Sequence, residues 1–289
     1  MLNKNISNFI GCSSEYDKAD IVLFGAPFDS TTSFRPGARF APEVIRKESY
    51  GLETYSPYQD KDLSEICVFD SGDIELSIGD TEKVLEQIEE RAALILKDNK
   101  IPFMTGGEHL VTLGAVRAAV KKYPDLHIIH FDAHTDLRDD YLGVKLSHAS
   151  VIQRCLELTG AGKIFQFGIR SGEKYEFERA KKYTFLNKFN FNGLDETIER
   201  LKGKRVYLTV DLDVLDPSVF SGTGTPEPGG VSFLELMNAV IKVCGNLEIK
   251  GCDVTELSPH YDISGASTAA ACKIIREMLL ALNTGKGAD

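Results

Sequence analysis

Short runs rich in Val, Ile, Leu and Phe alternate along this chain with longer segments in which apolar residues recur every three to four positions. That is the pattern of a parallel sheet covered by helices on both faces. ADIVLFGAPFD reads as the first strand and its loop, PEVIRKESYGL as a short helix with Pro42 in its first turn, and EICVFDSGDI as a second strand ending at a Gly turn. TEKVLEQIEERAALILKDN is amphipathic behind a Thr and an early Glu, which supply a cap. KIPFMTGGEHL is a buried strand that breaks at two glycines, which would free the backbone for a sharp turn.

The alternation continues to the closing helix GASTAAACKIIREMLLALN. LHIIHFDAH, KIFQFGIR, the short edge strand YTFLNKF, RVYLTVDLDVLD and IKGCDVTELS are the further strands. About eight strands result. Repeats, low-complexity tracts and Pro/Ser linkers are missing, so residues 1–289 read as a single domain.

Composition narrows the function classes. A chain of 289 residues, 43 % hydrophobic, can bury a large core. Its formal charge of -10, from 33 Lys and Arg against 43 Asp and Glu, argues against a nucleic-acid surface and for metal ions or small cations as partners. Six dispersed cysteines without a CxxC pair read as reduced, buried thiols of a cytoplasmic protein. The N-terminal stretch lacks the pattern of a signal peptide, and no run of 18 apolar residues suggests a membrane span.

In an open parallel sheet, ligands bind beyond the carboxyl ends of the strands. Three of those ends carry one kind of chemistry. In FDAHTD, Asp132, His134 and Asp136 alternate, so an extended backbone would aim all three to one side. Asp211 and Asp213 in TVDLDVLDP repeat the spacing, and His109 closes TGGEH. A single Asp at a strand end is ordinarily a cap or turn residue. Several together, with no Lys or Arg in the motifs, would repel by about 4 kcal/mol per pair at 4 Å in an effective dielectric of about 20. The four aspartates sum to -4, which two divalent ions balance, with neutral imidazoles completing the shells. Oxygen-rich donors without thiolate suit a hard ion such as Mn²⁺. Two ions about 3.5–4 Å apart lower the pKa of a shared water and so generate a hydrolytic nucleophile.

GGEH, DAHTD and TVDLDVLDP resemble the three metal-binding motifs of the ureohydrolase family, which includes arginase and agmatinase. PFDSTTSFRPGARFAPEVIR, SGTGTPEPGG and DVTELSPHYD extend the resemblance through most of the chain. It implies an α/β fold: a three-layer α-β-α sandwich around a mainly parallel, eight-stranded sheet. It also implies two Mn²⁺ per subunit, one on His109, Asp132, Asp136 and Asp211, the other on Asp132, His134, Asp211 and Asp213. By the same resemblance Glu256 pairs with the substrate guanidinium, Asp136 also holds a metal-bridging hydroxide, and His148 in KLSHAS shuttles protons to the departing amine. A histidine suits that task because its ordinary pKa is about 6.5. Family members are commonly trimers or hexamers, so a homo-oligomer is expected.

The substrate would be a small cationic guanidino compound. Arginases follow the aspartate motif with an Asn and paired serines that read the amino acid's carboxylate and amine, whereas LRDDYLGVKLSHAS resembles agmatinase. Agmatine, giving putrescine and urea, is therefore preferred. Guanidinobutyrase, guanidinopropionase, guanidine hydrolase, arginase and formimidoylglutamase activities are the alternatives, and a non-catalytic metal or polyamine binder would be expected to have lost His148, Glu256 or a ligand. His127 and His130 read as core or supporting groups, Asp139 and Asp140 as solvated charges, and Arg35, Gly37 and Arg39 as structural.

Overall fold

The computed structural model describes Leu2 and residues 5–282, so both ends of the expected 1–289 domain lie outside the described residues. The strands are β1 (Ile21–Ala26), β2 (Tyr55–Ser56), β3 (Lys61–Asp62), β4 (Val68–Asp73), β5 (Ile101–Gly106), β6 (His127–Phe131), β7 (Ile164–Ile169), β8 (Phe185–Lys188), β9 (Arg205–Asp211) and β10 (Glu248–Thr255). The helices are α1 (Ala41–Ser49), α2 (Thr81–Lys97), α3 (Val111–Lys122), α4 (Val151–Thr159), α5 (Lys174–Tyr183), α6 (Leu194–Leu201), α7 (Phe233–Asn246) and α8 (Ala266–Leu282). β2 and β3 form a small antiparallel ribbon. The other eight strands make one sheet in the order β4-β1-β5-β10-β9-β6-β7-β8, with every pairing parallel.

Successive side chains of a strand point to opposite faces, and both faces here are covered. Ile21 and Leu23 of β1 join the core under α1, α6, α7 and α8, while Val22 and Phe24 join the core under α2, α3, α4 and α5. This is the three-layer sandwich expected from the alternating pattern. Local chemistry sets several helix starts: Ser232 and Glu235 form a reciprocal capping box on α7, and Pro42 occupies the first turn of α1. The cap of α2 is Asp80, whose carboxylate accepts from the Lys83 N–H at 3.0 Å, rather than the Thr81 expected from sequence.

Other differences concern where strands stop. β6 ends at Phe131 and β9 at Asp211, so neither aspartate motif lies on extended strand throughout. Asp136 has φ of 51°, and Leu212–Val214 is a single 3-10 turn. The two glycines at the end of β5 serve close approach rather than a left-handed turn: a Cβ on Gly107 would lie 1.8 Å from the Phe28 carbonyl oxygen. Cys67 is exposed, contrary to the buried-thiol expectation, because it precedes β4 at the sheet edge; the other five cysteines are free and buried.

Candidate active site

β5, β10, β9 and β6 are adjacent, although the chain visits them far apart, and their carboxyl ends come level. Thr255 pairs with Asp211, Phe131 with Val210 and Val254 with Thr105. The residues just beyond those ends, His109, Glu256, Asp211 with Asp213, and Asp132 with His134 and Asp136, therefore converge. All but the fully buried Asp132 line a cleft of about 280 Å³ that also receives His148.

His109 Nδ1 lies 2.9 Å from Asp136 Oδ2, 3.1 Å from Asp132 Oδ2 and 3.5 Å from Asp211 Oδ2. Beside it, His134 Nδ1 lies 3.0 Å from Asp213 Oδ2 and 3.5 Å from Asp132 Oδ1. Asp132 thus gives one oxygen to each imidazole and joins two donor groups. All four aspartates and His109 are buried, while His134 is partly open to the cleft. The turn geometry holds them: Asp211 Oδ1 accepts from the Asp213 N–H at 2.9 Å, and Asp213 Oδ1 accepts from the Ala133 N–H at 3.1 Å.

Glu256 has φ of 65°, and its Oε1 accepts from the His109 N–H at 2.7 Å. Asp136 and Glu256 are both non-glycine residues in the left-handed region, a conformation that persists only where the surroundings impose it. His148 donates its backbone N–H to Thr31 Oγ1 at 3.1 Å, its Nε2 lies 3.5 Å from Ser33 Oγ, and its ring meets Tyr141 edge-on.

The electrostatics show what charge the site accepts. Burial, then Asp213 and Asp132, push the Asp211 carboxyl well above the ordinary range. Burial and Asp132 push Asp136 up to about 7, and burial and Glu108 push Glu256 well up. Burial would raise Asp132 too, but His130, His109 and His134 surround it and hold it low. Burial disfavours charge on His109 and His134, yet the facing carboxylates outweigh it and raise both well above the ordinary imidazole value. Protons on these groups occupy the place that divalent cations would take. Four carboxylates and two imidazoles in two groups sharing Asp132 are a donor set that fits two such ions.

The sequence model of the arginase family matches residues 19–281. The agmatinase of Bacillus subtilis (strain 168) is 48 % identical over 275 residues, spanning 94 % of this chain and 95 % of the relative. A Clostridium difficile protein of known crystal structure superposes with a TM-score of 0.90 at 52 % identity, covering 93 % of this chain and 98 % of its own. The agmatine ureohydrolase of Thermoplasma volcanium superposes at 0.86 with 36 % identity, covering 96 % and 94 %. The chain belongs to the arginase family.

Within this arginase-family site, His130 lies close enough to Asp132 to be mistaken for a further ligand. Its hydrogen bonds say otherwise. The Gln166 amide donates to the Thr135 carbonyl at 2.9 Å, which fixes its orientation, and its other N–H points at His130 Nδ1 at 3.1 Å. His130 then carries its proton on Nε2 and donates it to Asp132 Oδ2 at 2.7 Å. It orients a carboxylate. His127, three residues earlier on β6, packs near Phe165 away from the cluster.

Several residues near the site escaped the sequence reading. Glu108 is fully buried and accepts from the Thr31 N–H and from the Thr31 and Thr32 hydroxyls, which ties the loop after β1 against the GGEH turn. Burial pushes its carboxyl to about 7 against those hydrogen bonds. Glu227 accepts from Ser171 Oγ at 2.9 Å and stands 3.8 Å from His134 Nε2. The acid inside GGEH was a visible signal for Glu108; for Glu227 the only signal was an acid in a Gly- and Pro-rich loop. Asp29 accepts from the Gly37 and Arg39 N–H groups and pairs with the Arg39 guanidinium, so this part of the N-terminal loop is structural. Asp139 forms an exposed pair with Arg179, and Asp140 is exposed.

Proposed function

We propose that this protein is an agmatinase, hydrolysing agmatine to urea and putrescine. The observation that carries the reading is the sharing of buried Asp132 between two donor groups whose other members, Asp136, Asp213, His109 and His134, line one cleft with Glu256 and His148. His109, Asp132, Asp136 and Asp211 would hold one Mn²⁺, and Asp132, His134, Asp211 and Asp213 the other. When bound, such a pair lowers the pKa of water and stabilises negative charge as it develops.

The chain's own residues do the rest. Glu256, held by the His109 N–H, presents a carboxylate that burial has deprived of a counter-charge, and a guanidinium supplies one. Asp136 accepts a hydrogen bond from the attacking water. Burial holds His148 below the ordinary imidazole value, so its imidazole is neutral at pH 7. It therefore takes up the proton that the attacking water loses and passes it to the leaving amine as the C–N bond breaks. Arg138 in the cleft is already paired, 3.4 Å from Glu176 and 3.8 Å from Glu173, and stacks on Tyr141. That supports a substrate ending in an ammonium over one ending in a carboxylate.

The same reading makes this a cytoplasmic enzyme of polyamine synthesis, a single domain assembled as a trimer or hexamer. Among the described residues no helix is long and apolar enough to cross a membrane. The test is urea release after Mn²⁺ loading with agmatine, arginine, guanidinobutyrate and guanidine at equal concentration. Agmatine should give the highest kcat/KM; faster turnover of arginine or guanidinobutyrate would overturn the substrate assignment.

A further inference from the structure

Asp253 is a fully buried carboxylate one strand away from the donor cluster, and its hydrogen bonds come from neutral hydroxyls, those of Tyr207, Thr209 and Thr112. The register of β9 and β10 sets it directly beside Thr209. Thr209 Oγ1 lies 2.6 Å from Asp253 Oδ1, and the Tyr207 hydroxyl lies 2.6 Å from Oδ2. On its other side Thr209 Oγ1 lies 2.9 Å from His109 Nε2.

A threonine hydroxyl has one hydrogen. Donated to the carboxylate, it leaves an oxygen lone pair facing His109, so the imidazole carries its proton on Nε2. The lone pair of Nδ1 then points the other way, at the meeting place of Asp132, Asp136 and Asp211. We propose that Asp253, acting through Thr209, is a positioning residue that fixes the tautomer and orientation of His109 and so presents its Nδ1 to a metal ion. A carboxylate behind a metal-binding imidazole makes the ligand more basic as well as better oriented. The relay explains why a sheet buries an acid here with hydroxyl partners alone, an arrangement whose desolvation costs free energy.

The inference rests on His109 being a metal ligand, and the experiment separates the two ideas. Metal-free wild type, Thr209→Val, Thr209→Ser, Asp253→Asn and His109→Ala proteins are titrated with Mn²⁺ by calorimetry, with circular dichroism as the check on folding. Thr209→Val keeps the side-chain shape on a central strand and removes the hydroxyl. It should bind the ion held by His109 about 10- to 100-fold less tightly. Thr209→Ser should restore the affinity to near the wild-type value, and Asp253→Asn, which keeps an acceptor but loses the charge, should fall between. Wild-type affinity in Thr209→Val, alongside loss of one ion in His109→Ala, would overturn the relay while sparing the ligand. Two ions retained in His109→Ala would remove the ligand and the relay together. If Thr209→Val does not fold, wild-type affinity in Asp253→Asn overturns the proposal by itself.

Discussion

Asp70 on β4 and Asp211 on β9 are both buried carboxylates of the same sheet, and they are compensated in opposite ways. Asp70 is met by Arg46 of α1, whose Nε lies 2.9 and 3.1 Å from its two oxygens, and by the N–H groups of Phe9 and Gly72. Arg46 also pairs with Asp73 and is itself almost fully buried. That cluster carries its own cation. Asp211 sits among Asp132, Asp136 and Asp213 with imidazoles as neighbours, and burial and repulsion drive its pKa up. A buried acid with an arginine holds the fold together, whereas a buried acid without one is a place for a cation from outside.

The contrast is broken most severely at Asp211. Asp211→Ala should lower Mn²⁺ affinity and urea release by more than about 100-fold, beyond what loss of a supporting residue costs. Metal analysis and a urea assay on one preparation read both, and retained turnover would remove the metal reading. In the metal-free state this variant should melt no lower than wild type, since folding no longer has to bury and protonate an uncompensated carboxyl.

Arg46→Met addresses the other cluster. It leaves Asp70 and Asp73 without their cation and should cost about 3–5 kcal/mol in urea denaturation, with Mn²⁺ stoichiometry unchanged in the folded fraction. A loss below 1 kcal/mol would mean that the Asp70 region tolerates unpaired charge as the Asp211 region does.

Mn²⁺ should next stabilise wild type by about 2.7 kcal/mol at a hundred times its dissociation constant, and Arg46→Met by a similar amount, but not Asp211→Ala. A related pH effect belongs to the metal-free protein. Asp136, raised to about 7 from 3.8, keeps a proton in the native state that the unfolded chain has released. Its contribution is complete below the unfolded value and is lost as pH rises through about 7. Chelated wild type should therefore lose melting temperature relative to Asp136→Asn between pH 4 and 7. Parallel curves would show that Asp136 is not protonated there.

The smallest effect is a control. The Asp139–Arg179 pair is largely exposed, so Asp139→Asn should change stability by less than about 1 kcal/mol and leave metal binding alone.

The eight strands were legible because each writes its own short apolar run, and the three-layer architecture follows from the alternation with helices. The aspartate and histidine motifs were legible because they close those runs. Their backbone was not: alternation in DAHTD and DLD suggested extended strand, yet the chain turns after Phe131 and at Asp211, where Asp213 accepts from the Ala133 N–H and Glu256 from the His109 N–H, and Asp136 and Glu256 take positive φ. Asp253 carried no signal along the chain because its partners, Tyr207 and Thr209, lie on another strand. Asp70 and Asp73 drew no notice because an acid with a cation in space looks the same along the chain as an acid without one.

By itself the sequence determined which elements form, which donors exist and which family the chain joins, since these depend on local period and on motifs a few residues long. Only the tertiary structure decided which acids meet an arginine and which meet one another. It also decided which imidazole nitrogen faces the site and that β10 and β9 close the gap between β5 and β6. Charge compensation and tautomer depend on distances of about 3 Å between groups remote in the chain, and strand order and register alone set those distances.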